Sequence, residues 1–262
     1  MAIKVSSITD GFLYIAEEIG GAAYFIRNVF FALFRKPDDI NNIFKQMVRV
    51  GVDSLPIVIL SALFTGMVLA LQSGVASIKV FDEAIFIGTL VSFAIVLELG
   101  PVLTALVISG RIGASITAEL GTMKVSEQLD ALYMLGTTPE KYLAAPLFIA
   151  MLIMLPAITL LADVTGVWGG YLISVTTFDV PGGVYTNDVL THLQIVHFVH
   201  GLIKSVFFAF IIVSVSCYRG FKTAGGAEGV GKSTTRAVVL SMVLILVSDY
   251  FLSTLLNAMG LM

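Results

Sequence analysis

Charge is scarce in this sequence. Only 13% of its 262 residues are Asp, Glu, Lys or Arg, against roughly 25% in soluble domains. So few charges cannot cover the surface of a water-soluble chain of this length. Cysteine is nearly absent: Cys217 stands alone, which excludes an internal disulfide and a cysteine metal cluster. An excess of one sign is missing too. Fifteen basic against 18 acidic residues give a formal net charge of −3, and no basic tail or stripe points to nucleic acid as a partner. Residues 1–30 lack a basic start, a compact apolar core and a small-residue cleavage site, so no cleaved signal peptide is expected. What is abundant is apolar: 57% of the chain is hydrophobic and its mean hydropathy is +0.97. Together these describe an integral membrane protein.

A spanning helix takes about 20 mostly apolar residues. Five stretches qualify. Residues 54–78 carry no charge, and 84–110 carry only Glu98. Residues 142–162 are uncharged, and Asp163 is the only charge from there to Asp179. Residues 189–218 carry Lys204 besides three histidines, and 237–262 carry Asp249. Without water in the lipid core, backbone polar groups must pair within each segment, so these stretches are helices. The expected fold is all-α: about five transmembrane helices preceded by amphipathic interfacial ones. Basic residues mark the cytoplasmic side. Lys4, Arg27, Arg35, Lys36, Lys45 and Arg49 precede the first span; Arg111, Lys124 and Lys141 follow the second; Arg219, Lys222, Lys232 and Arg236 follow the fourth. Only Lys79 and Lys204 fall elsewhere. The N-terminus is therefore expected in the cytoplasm and the C-terminus outside.

Residues 1–50 read as an amphipathic interfacial segment and 51–262 as the transmembrane domain. Phe12, Ile15, Ile19, Ala22, Ala23, Ile26 and Phe30 recur at helical spacing, Pro37 breaks the pattern, and Ile40, Ile43, Phe44, Met47 and Val48 form a second stripe. Both suit the membrane surface or the protein's own spans. The cytoplasmic loop at 114–138 contains a short helix, Val125 to Leu132, on which Leu129, Leu132 and Tyr133 share a face beside Glu127, Gln128 and Asp130. Gly136 stops it, and Thr138-Pro139 opens the third span. Such a helix is either a plain connector or a docking element for a soluble partner. The outer loop at 176–192 is turn-rich, with room for one short helix.

Gly226 to Ser233 fits the G-x-x-x-x-G-K-[ST] phosphate-loop pattern. That chemistry needs a buried strand before the loop and a helix after it, inside an α/β sheet. Here the flanking apolar runs are membrane spans, so the segment is expected to be a flexible glycine loop with basic residues at the inner membrane face. His197 and His200 have the spacing of a helical metal pair, with His192 nearby, but no acid or cysteine completes the set; interfacial histidines are the better reading. No catalytic or metal site is expected. Glu98, Lys204 and Asp249 are ionisable groups inside spans. Their cost points to a shared function, or to a pairing that only holds helices together.

The run Glu98-Leu99-Gly100-Pro101-Val102-Leu103-Thr104-Ala105-Leu106, then Gly110-Arg111-Ile112-Gly113, Ala118-Glu119-Leu120-Gly121-Thr122-Met123 and Ser126 to Leu132, closely resembles the MlaE/YrbE family, permease subunits of ABC-type lipid transporters that work with MCE proteins. Gly66 to Gln72, Val167-Trp168-Gly169-Gly170 and Thr234 to Val239 extend the resemblance from about residue 50 to the C-terminus. It implies a homodimer in the bacterial inner membrane, two copies of a cytoplasmic ATPase, an MCE ring outside, and phospholipid as the cargo. ATP and Mg would bind the partner ATPase, with no cofactor in this chain. The segment 125–136 would be the coupling helix, with Glu127, Gln128, Leu129, Asp130 and Leu132 meeting the ATPase. Leu69, Leu71, Ile78, Phe81, Leu97 and Leu99 would line an outward-open lipid cavity at the dimer interface. The family often has a basic residue just before the Glu of this motif; here it is Leu97. The reading from another class is a non-ABC membrane protein, a secondary transporter or scaffold, for which no inverted repeat is visible.

Overall fold

The computed structural model describes residues 17–18, 20–31, 40–82 and 86–260, and of Phe81 only the backbone. Among these residues there are helices and no strand. Five of the helical runs are long and apolar enough to cross a membrane. Phe12, Ile15 and Ile19 lie outside the described residues.

Helix α1 covers 20–31. Phe25 and Val29 are buried on it, and Phe25 packs against Tyr218 and Phe221. Ala23 and Phe30 of the expected stripe are exposed instead. The buried face is thus rotated from the stripe, of which Ile26 still packs against the core. Helix α2 (Ile40–Val50) likewise turns Ile43 and Val50 inward and leaves Ile40, Phe44 and Val48 exposed. Gly51 and a short 3-10 turn (Val52–Ser54) separate α2 from α3 (Leu55–Phe81), whose first turn holds Pro56. Proline is tolerated there because those N–H groups have no intrahelical partner.

The second span is one continuous helical run. It comprises α4 (Ile87–Phe93), a π-bulge (Ala94–Leu99), α5 (Gly100–Ile108), a second π-bulge (Ser109–Gly113) and α6 (Ala114–Val125). Residues 114–125, expected within a loop, continue the helix. Ile116, Thr117 and Leu120 are buried, and Leu120 rests against Gly220 on a later span, so tertiary packing carries the helix past the membrane core. After Ser126 and Glu127 come α7 (Gln128–Met134), a third π-turn (Glu140–Ala144), then α8 (Ala145–Thr177) with Pro156 inside it. The expected outer loop is mostly helix: α9 (Gly182–His192) occupies it after a turn at Asp179. Helices α10 (Ile195–Phe221) and α11 (Gly226–Ala258) complete the chain.

Helices α3 and α8 form the closest seam. A Cβ at Gly66 would meet the Gly166 carbonyl oxygen at 1.8 Å, and one at Gly169 would meet the Leu63 carbonyl at 2.3 Å. Small residues let two backbones approach within the membrane. The main core lies among α5, α6, α8 and α10, around Ile108, Met151, Leu155, Phe208 and Ile212. A smaller cluster joins α3, α4 and α9 through Ala70, Ile87, Val91 and Tyr185. Helix α11 sits at the edge, burying only Ala237, Ser241, Ile245, Leu252 and Leu256.

Candidate functional site

Pro101 has no N–H, so it cannot bond a carbonyl in the preceding turn, and the π-bulge before it disturbs the same turn. One carbonyl of that turn, Leu97 O, accepts a hydrogen bond from Lys204 Nζ at 2.9 Å. Lys204 is fully buried. Its ammonium also lies 2.6 Å from Glu98 Oε2 and 3.0 Å from Asp249 Oδ1. The structure thus brings Glu98, Lys204 and Asp249 together from three spans. Counting from Ile87, Ile195 and Ala258 at about 1.5 Å per residue, all three lie roughly 14–17 Å from the α9 end of the bundle. Ser253, one turn after Asp249, places its hydroxyl 3.1 Å from Glu98 Oε1. That spacing was visible in the sequence, though the acid it reaches was not. The two acids differ in access: the Glu98 side chain remains 43% exposed and that of Asp249 20%.

The five expected lipid-cavity positions whose side chains are described do not line one pocket within a single chain. Leu71 and Ile78 are exposed on α3. Leu69 packs with the cluster around Ala70 and Tyr185. Leu97 is buried. Leu99 lines a narrow crevice between α3, α5 and α8. The side chain of Phe81 lies outside the described residues.

At the opposite end of the bundle, the expected helix from Val125 to Leu132 is broken at Glu127. This residue takes a left-handed conformation (φ 61°), and α7 begins after it. Leu129 is buried against its own chain rather than presented outward. Exposed instead are Glu127, Gln128 and Asp130, with Tyr133, Met134 and Leu135; Met134 is 90% exposed. Leu132 is half-buried. Lys124 holds Asp130 at 3.0 Å. Tyr133 donates to Glu140 Oε1 at 2.9 Å, and partial burial together with that carboxylate pushes its phenol up to about 12. Arg49 binds Glu119 and Ser115, each at 2.6 Å, and Arg111 donates to the Asp53 carbonyl and Ser54. These basic residues tie α2 and the start of α3 to the second span.

The glycine segment 226–233 is not a loop. Gly225 and Gly226, at φ 93° and 67°, make the turn, and α11 starts at Gly226. Gly229 is needed because a Cβ there would meet the Ala224 carbonyl at 1.9 Å. Glu228 and Lys232 pair one turn apart at 2.6 Å. A helical glycine costs only about 1 kcal/mol relative to alanine, which the long apolar continuation offsets. Inside a helix, the N–H groups after the first turn bond to its own carbonyls, so they do not cradle phosphate.

His197 closes a capping box with Gln194 at the start of α10 and lies against Phe93. His192 sits 3.2 Å from Thr89. Among the described residues no group of three potential metal ligands assembles.

The family described as Permease MlaE matches residues 43–255. A probable ABC transporter permease protein of Rickettsia typhi is 42% identical over 241 residues, covering 92% of this chain and 93% of that one. A probable ABC transporter permease protein of Synechocystis is 41% identical over 236 residues, covering 90% and 89%. The intermembrane phospholipid transport system permease protein MlaE of Haemophilus influenzae is 39% identical over 220 residues, covering 82% and 83%.

Proposed function

The chain belongs to the MlaE permease family, and on that premise we propose that it is the membrane subunit of an ABC-type transporter moving phospholipid between the inner membrane and the outer envelope. ATP and Mg bind a separate cytoplasmic ATPase. The permease works as a homodimer with an MCE-domain protein on the outer side. Its basic residues keep the N-terminus and α7 in the cytoplasm, where the exposed acids and Tyr133, Met134 and Leu135 of the α7 region meet the ATPase.

One observation carries the reading. Glu98 holds a carboxylate inside a span, 43% exposed on the single chain. Lipid tails cannot solvate that group, so it faces a water-filled cavity or a partner surface. A cavity between two copies, polar at Glu98 and apolar along Leu71, Ile78 and Leu99, suits an amphiphile with a charged head and acyl tails. Photo-crosslinkers at Leu71, Ile78, Phe81 and Leu99 are expected to capture phospholipid more efficiently than crosslinkers at Val243 and Val247 on the outer face of α11. Equal capture at both sets contradicts the cavity.

A further inference from the structure

Asp163 belongs to none of the ion pairs above. It stands in the middle of α8, 2% exposed. Its Oδ1 is buried and has no hydrogen-bond partner among the described residues. Gly100 explains how the carboxyl fits: a Cβ at that position would lie 1.8 Å from Oδ1. The carboxyl therefore occupies the space that any other residue after Leu99 would fill.

Gly100 also lines the crevice between α3, α5 and α8, whose wall includes Ser61, Thr65 and Thr104. Its free volume is about 10 Å³, close to the space one water molecule needs. Among the described residues no ion pair involves Asp163. The second span brings Glu98, which is held by Lys204 and Ser253. Helix α10 brings Lys204, committed to Glu98, Asp249 and Leu97, and His197, committed to Gln194. Helix α2 brings Arg49, which pairs with Glu119. Helix α3 brings the hydroxyls of Ser61 and Thr65.

A buried carboxylate whose Oδ1 has no donor does not persist as a bare anion. We propose that Asp163 and the adjoining crevice bind a small cation, H⁺ or Na⁺, inside the membrane. The oxygens at hand are the Asp163 carboxylate beside Gly100 and the hydroxyls of Ser61, Thr65 and Thr104 in the crevice wall, ligands of the hard kind that such ions take. The site lies in the α3–α8 seam, so separation of these helices would wet it and release the ion. Its occupancy is thus tied to the seam and does not depend on the cargo.

The test uses the purified chain in lipid nanodiscs. In the proton arm, infrared difference spectra recorded as pH rises are expected to lose a protonated carboxyl band. Carbon-13 labelling of aspartate shifts that band, and Asp163→Asn removes it. In the sodium arm, replacing choline chloride by sodium chloride at fixed ionic strength is expected to raise the unfolding temperature of the native chain but not of Asp163→Asn. A positive result in either arm supports the site and identifies the ion. Gly100→Ala, which drives a methyl into the carboxyl, is expected to perturb the same response and keeps the test decisive if Asp163→Asn fails to fold. If neither pH nor sodium gives a response that Asp163→Asn abolishes or Gly100→Ala alters, the proposal is wrong. Lipid capture at Leu71 and Ile78 is read separately, so failure here leaves the phospholipid reading standing.

Discussion

Inside the protein, two carboxylates and the Leu97 carbonyl surround the Lys204 amine. Removing one partner of a buried ion pair strands the other, which costs about 3–5 kcal/mol. Lys204→Ala is therefore expected to lower stability, by less than that figure because the two acids it leaves are partly exposed, read from unfolding in detergent or nanodiscs. Lys204→Ala combined with Glu98→Gln and Asp249→Asn is expected to recover part of the loss. Additive losses would contradict the coupling. The three charged residues were legible in the sequence because ionisable groups inside apolar runs stand out. Two companions were not. Leu97 contributes through its backbone, hidden from any reading of side-chain types, although Pro101 marked where a carbonyl loses its partner. Ser253 looks like any hydroxyl residue in a span until Glu98 arrives beside it. Gly100 reads as part of a motif, and only the approach of Asp163 shows what its missing Cβ makes room for.

At the scale of elements, the sequence located the five spans because hydropathy and length report directly on burial in lipid. Their ends were harder. Residues 114–125 and 226–233 both read as loops, yet each is helical because packing of the first and the long apolar continuation of the second outweigh weak local signals. The α7 region shows the same limit: periodicity put Leu129 and Leu132 on one exposed face, whereas Leu129 is buried and the exposed apolar group falls at Tyr133, Met134 and Leu135. Reversing the charges of Glu127 and Asp130 together is expected to weaken ATPase association in a pull-down while the permease stays folded. Unchanged association would leave α7 a plain connector. Helix α1 is fastened by Glu18, which pairs with Lys222 at 2.7 Å and Arg219 at 3.2 Å. The Glu18 carboxylate holds the Lys222 ammonium above its ordinary value of 10.5. A raised lysine contributes fully below its unfolded value, and that contribution is lost as pH climbs through the folded one. A spin label at Tyr24 is thus expected to stay immobile up to about pH 10.5 and to loosen above it. Glu18→Gln should loosen it at neutral pH. Equal mobility in both proteins at neutral pH would show that Phe25 and Val29 suffice to hold α1.

Across the whole molecule, the interior is built for rigidity and the outside for company. Helices α5, α6, α8 and α10 supply the packed core, while α3 and α11 leave long apolar faces uncovered. Uncovered faces of this kind meet lipid or another subunit. The Lys204 cluster joins the second span and α10 to α11, and α6 and α5 connect Glu98 to α7, the path along which the proposed ATPase would act. Whether that path drives phospholipid is decided by isolating the affinity-tagged chain from the membranes of its own cells and assaying what comes with it. The account predicts a co-purifying ATPase whose ATP hydrolysis rises when phospholipid is supplied in nanodiscs, a stimulation lost with Lys204→Ala. A chain that purifies without an ATPase, or whose associated hydrolysis ignores phospholipid, would contradict it.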